Sequence, residues 1–168
     1  MFTKDLRFIT FIKGSPETIF DLVADMPNYG RWLPDSSAFG GTVDVTPYPV
    51  RLGTTYVDAG PIRKPGSVTE YDRPKHISFH HTVQLRRTFL NADIDAQIRY
   101  TFDLTSGGTI IDRRLVLTFN LHGVSYLALP LLIYGFRKEN NRTLAALKLY
   151  VEAQAKSTPV QMRTNPGQ

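Results

Sequence analysis

The sequence predicts an α+β domain in which a curved antiparallel sheet of about seven strands wraps one long C-terminal helix, with two short helices after the first strand. Three observations carry this expectation. From Thr54 to Leu121, apolar and polar residues alternate with period two, and turn residues recur between the segments, as in an antiparallel meander. Near the N-terminus a strand-like segment is followed by Ser15-Pro16-Glu17, a helix-start signal. Near the C-terminus, Leu144, Leu147 and Val151 form a stripe at helical spacing.

Residues 3–13, rich in Phe, Ile and Thr, read as the first strand, closed by Gly14. Ser15 is placed to cap a helix with Pro16 at its first position, and Glu17 suits the positive end of the helix dipole. Ile19, Leu22, Val23 and Met26 give that helix a core-facing stripe that ends before Pro27. Tyr29, Trp32 and Leu33 suggest a second short helix stopped at Pro34, and residues 36–53, with Gly40, Gly41, Gly53, Pro47 and Pro49, read as a short strand and a loop.

Further strands are expected at 54–60, 66–72, 75–84, 91–105 and 109–121. The pattern is strongest where Ile94, Ala96, Ile98, Tyr100, Phe102 and Leu104 alternate with polar neighbours, before a turn at Ser106-Gly107-Gly108. The long helix is expected from about Val124 to about Ala155, with Pro130 and Gly135 as kink points. One domain then spans 1–155, and the tail KSTPVQMRTNPGQ, without apolar periodicity, is expected to be disordered.

Composition narrows the function. A chain of 168 residues with 42% apolar and 11% aromatic side chains suffices for one cored domain. The net charge of +5 comes from scattered Lys and Arg, with no basic stretch interleaved with aromatics, so a solvated surface is expected rather than a nucleic-acid interface. The absence of cysteine excludes disulfides, thiolate catalysis and Cys-ligated metals, and suits a reducing compartment. The segment MFTKDLRFITF lacks the pattern of a signal peptide, so a cytoplasmic location is expected. The apolar run Tyr126–Phe136 is far shorter than the roughly 20 residues that span a bilayer. It reads as core, with a membrane-surface or partner contact as the alternative.

The order of strand, two short helices, meander and long helix resembles the SRPBCC superfamily over residues 3–155. The segments that carry the resemblance are SPETIFDLVADMPNYGRWLPD at 15–35, EYDRPKHISF at 70–79 and NRTLAALKLYVEA at 141–153. The superfamily includes polyketide cyclases and dehydrases, START lipid-transfer domains and the birch-pollen allergen, and the resemblance implies a helix-grip fold. The branch most similar is the polyketide cyclase/dehydrase group. That implies a cofactor-independent lyase or isomerase acting on a hydrophobic polycarbonyl or aromatic intermediate in an internal cavity. The alternative is a binding or transfer protein for a lipid, sterol or metabolite. The partner in either case is a hydrophobic small molecule, and the chain is expected as a monomer or homodimer.

Candidate site residues are polar side chains on the apolar phase, where burial is costly without a partner. Ile111, Arg113, Leu115, Leu117, Phe119 and Leu121 share one face of the last strand. Arg113 on that face either serves a ligand oxyanion or reaches water or an internal carboxylate near the strand's end. The resemblance suggests that Tyr56 points inward, and Asp58, on its phase, would then be buried. Asp58 with Arg113 reads as a structural ion pair or as a tuned general base. Ile77, Phe79, His81 and Val83 share a face, which makes His81 a proton shuttle or a satisfied core histidine. His80 and His81 diverge along a strand, so no metal site is expected. Trp32, Tyr56, Phe79, Tyr100, Leu115 and Tyr134 are expected to line the cavity, as packing surface and, for Trp and Tyr, as a polar handle.

Overall fold

A computed structural model describes residues 1–87 and 90–157. The strands are β1 (Phe2–Ile12), β2 (Thr42–Thr46), β3 (Thr55–Asp58), β4 (Lys64–Asp72), β5 (His76–Arg87), β6 (Leu90–Thr105) and β7 (Gly108–Leu121). The α-helices are α1 (Pro16–Ala24) and α2 (Leu129–Ser157), and single 3-10 segments cover Met26–Arg31 and Gly123–Ala128. The strands form one antiparallel sheet in the order β1-β7-β6-β5-β4-β3-β2, so the last strand closes on the first and the short β2 is the far edge. This is the helix-grip architecture.

Local signals explain the helices. Ser15 Oγ accepts the Thr18 N–H at 3.3 Å, and Pro16 fills the first helical position. Ile19, Val23 and Met26 are buried as their spacing predicts, while Leu22 is only partly covered. The second short helix starts earlier than expected and ends at Arg31, leaving Trp32 as its cap. Pro130 lies in the first turn of α2, where its missing N–H has no intrahelical bond to lose, so it marks the start of the helix. The helix continues to Ser157, two residues beyond the expected domain end; the remainder of the expected disordered tail, 158–168, lies outside the described residues.

The concave side of the sheet holds two apolar clusters. One joins α1 and the C-terminal half of α2, through Ile19, Phe20, Val23, Leu147 and Val151, to Ile77 and Ile111. The other joins Ile94, Leu117, Phe119 and Leu121 to Leu132, Ile133 and Phe136 at the N-terminal half of α2. Leu104 departs from the expected inward phase and is 73% exposed. It stands one residue before the Thr105–Gly108 pair that closes the β6–β7 hairpin, at the extremity of the sheet.

Candidate functional site

Between the two clusters the concave face and α2 enclose a cavity of about 130 Å³. Tyr56 and Asp58 reach it from β3, Phe79 and His81 from β5, Tyr100 from β6, and Arg113 and Leu115 from β7. Phe136 and Thr143 of α2 lie on its opposite wall.

Arg113 is only 7% exposed. It stands directly across the β6–β7 ladder from Tyr100, and this register lays its guanidinium carbon 4.7 Å from the centroid of the Tyr100 ring. Nε and Nη1 have no hydrogen-bond partner among the described residues. A cation so placed satisfies part of its charge on a ring face and leaves two donor nitrogens unused.

Tyr56 and His81 are linked across an intervening strand. Tyr56 on β3 is in register with Gly66 on β4, and Gly66 with His81 on β5. A Cβ at position 66 would lie 2.7 Å from Tyr56 Cζ, so only glycine lets the ring lie across β4. The Tyr56 hydroxyl thereby comes within 3.0 Å of His81 Nε2. Asp58 lies beside them, holding a hydrogen bond from Thr42 Oγ1 at 3.0 Å and placing Oδ2 at 3.8 Å from His81 Nδ1.

The burial of these groups sets their protonation. Burial pushes the His81 imidazole down to about 3, with repulsion from Lys64, Arg113 and His80 adding to it. His81 is therefore neutral near neutral pH, and its approach to Asp58 is not a charge pair. Burial raises the Asp58 carboxyl, against the opposing pull of Lys64, the Thr42 hydrogen bond and Arg113. Burial, with Asp58 adding, also holds the Tyr56 phenol well above its ordinary value. A firmly protonated phenol donates to Nε2, which puts the imidazole proton on Nδ1, facing Asp58 rather than presenting a lone pair to a carboxylate.

Three sequence expectations need correction. Asp58 and Arg113 form no ion pair among the described residues, because the edge strand β2 brings Thr42 opposite Asp58 and holds it there. Tyr134 is 62% exposed, on the outer side of α2. Trp32 is buried but packs against Tyr29, with ring centroids 5.0 Å apart, behind the cavity wall rather than in it. Tyr56, Phe79, Tyr100 and Leu115 do line the cavity. Sequence reasoning missed Tyr29, Phe39, Phe136 and Gly66. Tyr29 contributes shape alone, since its hydroxyl donates to the Val23 carbonyl at 2.5 Å. No group of three or more His, Asp or Glu side chains converges as metal ligands would among the described residues.

No protein-family model and no curated protein matches this chain. Solved structures do. The di-domain ARO/CYC StfQ from the steffimycin biosynthetic pathway superposes with a TM-score of 0.68 at 14% identity, over 92% of this chain and 52% of that one. The chain thus spans about half of StfQ. Ara h 8.0201 superposes with a TM-score of 0.61 at 9% identity, over 90% of this chain and 99% of that one. An uncharacterised protein from Rhizobium leguminosarum gives 0.64 at 15% identity, over 90% and 95%. At such identities the likeness establishes the fold alone, the helix-grip architecture described above.

Proposed function

We propose that the cavity binds an apolar, carbonyl-bearing small molecule and catalyses a cofactor-independent enolisation that leads to ring closure or loss of water. The observation that carries this reading is Arg113: buried, with two donor nitrogens unused, and facing the same cavity as the Tyr56–His81 hydrogen bond and the Asp58 carboxyl beside it. A buried cation costs several kcal/mol unless something pairs with it, and an oxygen that becomes negative during a reaction is such a partner. The occurrence of an ARO/CYC protein among similar folds supports the substrate class as an analogy.

The relay follows from the hydrogen-bond order. A substrate carbonyl oxygen lies on Arg113, and its adjacent C–H faces the Tyr56 oxygen. The proton leaves carbon for that oxygen as the phenolic proton moves to His81 Nε2, and the electron pair becomes an enolate held by Arg113. The imidazolium formed faces Asp58. Its low basicity in this site makes it tenable only while the enolate is present to balance it, which couples the two charges. In ring closure the enolate carbon bonds to a second carbonyl, and the resulting alkoxide takes the proton back through Tyr56. Loss of a further α-proton and of hydroxide, protonated to water, completes dehydration.

The test is turnover of a poly-β-ketone thioester analogue, followed by mass spectrometry of products. The wild-type chain should convert it, and Arg113→Ala and Asp58→Ala should each abolish conversion while keeping the far-ultraviolet dichroism of the fold. Retained conversion in both variants would overturn the assignment. A stoichiometric lipid co-purifying with a chain that converts nothing would establish carriage instead.

A further inference from the structure

The cavity is small for the class of ligand proposed. Drug-sized ligands occupy roughly 300–1,000 Å³, while a cavity of about 150 Å³ holds benzene. The inner space of about 130 Å³ therefore takes one ring or its equivalent. Beside it lies an outer cleft of about 280 Å³. The two share Lys64, Val83, Phe136 and Glu139, so these four residues are the partition between them.

The two spaces differ in chemistry. The outer cleft is walled by aliphatic side chains, among them Ile62, Leu85, Ile94, Leu131 and Leu132. Its two charged residues are already engaged: Lys64 Nζ donates to the Ala38 carbonyl at 2.7 Å, and Glu139 accepts from Ser36 Oγ at 3.1 Å and pairs with Arg142. The inner cavity carries the unpartnered cation Arg113. A ligand that fills both must be polar at one end and apolar at the other.

Building on the oxyanion reading of Arg113, we propose that the ligand is amphipathic: a compact enolisable head, whose oxygen turns negative on Arg113 and for which a carboxylate is the stable mimic, and an apolar tail that passes Phe136 into the outer cleft. The head provides the oxygen that the two unpartnered donor nitrogens of Arg113 need. The tail covers Leu131, which is 71% exposed. Phe136 is the side chain that must turn aside.

Isothermal titration calorimetry with benzoate, a series of 4-alkylbenzoates and the matching neutral benzamides tests the placement. Each acid should bind at least about tenfold more tightly than its amide, and Arg113→Met should erase that preference. Each added methylene should tighten binding by about fourfold until the cleft is filled. In Leu131→Asp, a substitution at an exposed position, that increment should vanish while the preference for acid persists; Ile62→Asp is the second variant for the same wall. Equal binding of acid and amide, a flat alkyl series, an increment unchanged in both cleft variants, or no binding of any probe would overturn the proposal. Turnover together with a flat alkyl series would overturn this placement and leave the enolisation reading standing. Tail-dependent binding without turnover would do the reverse.

Discussion

Arg113 and Arg114 are neighbours in β7 and meet opposite fates. Arg114, on the convex face, donates from Nε to both carboxylate oxygens of Asp5, at 3.1 and 2.9 Å, and its side chain is 61% exposed. Along the same face Arg7 pairs with Asp112, Arg99 with Glu70, Arg86 with Asp93 and His80 with Asp95. On the concave face Arg113 has no carboxylate partner among the described residues, and His81 Nδ1 has no hydrogen bond. Charges that face water are matched where water could have served them, and those shielded from water are left open. The difference fits the proposal that the inner groups serve a ligand, whereas the outer pairs are solvated surface pairs that contribute little.

Replacing each arginine by methionine tests that contrast most directly. Arg113→Met should lower turnover by about 10²–10³-fold, the usual cost of one oxyanion donor. Its stability should hold or rise, since an unpartnered buried charge gives way to a thioether of similar length. A fall in urea midpoint with turnover intact would reverse the roles assigned to the two faces.

The next largest effect concerns the link across β4. Tyr56→Phe removes the donor to His81 and should cost about 10²-fold or more in turnover. Gly66→Ala pushes the same ring away and should approach that loss, with a stability cost of about 1–3 kcal/mol from overpacking. In the Tyr56→Phe background, Gly66→Ala should add no further loss of turnover, because both act on one hydrogen bond. Additive losses would mean that Gly66 matters for another reason.

The pH dependence is subtler. The unfolded chain takes up the His81 proton near pH 6.5 and the folded chain only near pH 3, so the unfolded state binds more protons in between. Stability contributed by His81 is thus present above about pH 6.5 and is lost as pH falls toward 3. Asp58 has the opposite sign: its raised carboxyl favours the protonated form in the fold, so its contribution weakens as pH rises above about 3.8. Urea midpoints measured at intervals from pH 4 to 7 should climb in the wild type and climb less in His81→Asn; parallel curves would refute the assignment.

The smallest effect belongs to the convex face. Arg114→Met should leave the urea midpoint almost unmoved and turnover unchanged, since exposed pairs contribute little. Stability curves at low and high salt would show the residual contribution shrinking with screening.

How far each feature was legible follows from the range of the signal that carries it. Strand phase is local, so the inward aim of Arg113 and His81 could be read along the chain, while that of Tyr56 came from the family resemblance. The partner of Asp58 could not, because Thr42 meets it only through the edge pairing of β2 with β3. Gly66 looks like a weak point in a strand until the register places it between Tyr56 and His81. Tyr134 misled because Tyr126–Phe136 is apolar nearly all round, and periodicity alone does not choose the side that packs. Leu132, Ile133 and Phe136 turned in, and Leu131 and Tyr134 turned out. Leu104 followed the alternation correctly but ran past the end of what covers the sheet.

The glycine at 66 also bears on how such scaffolds diverge. One methyl group there would leave the bowl and Arg113 in place while displacing the Tyr56 ring, and with it the proton path proposed above. On the proposed mechanism, reactivity is therefore held at a position outside the cavity lining, in a strand that contributes no side chain to the proposed relay.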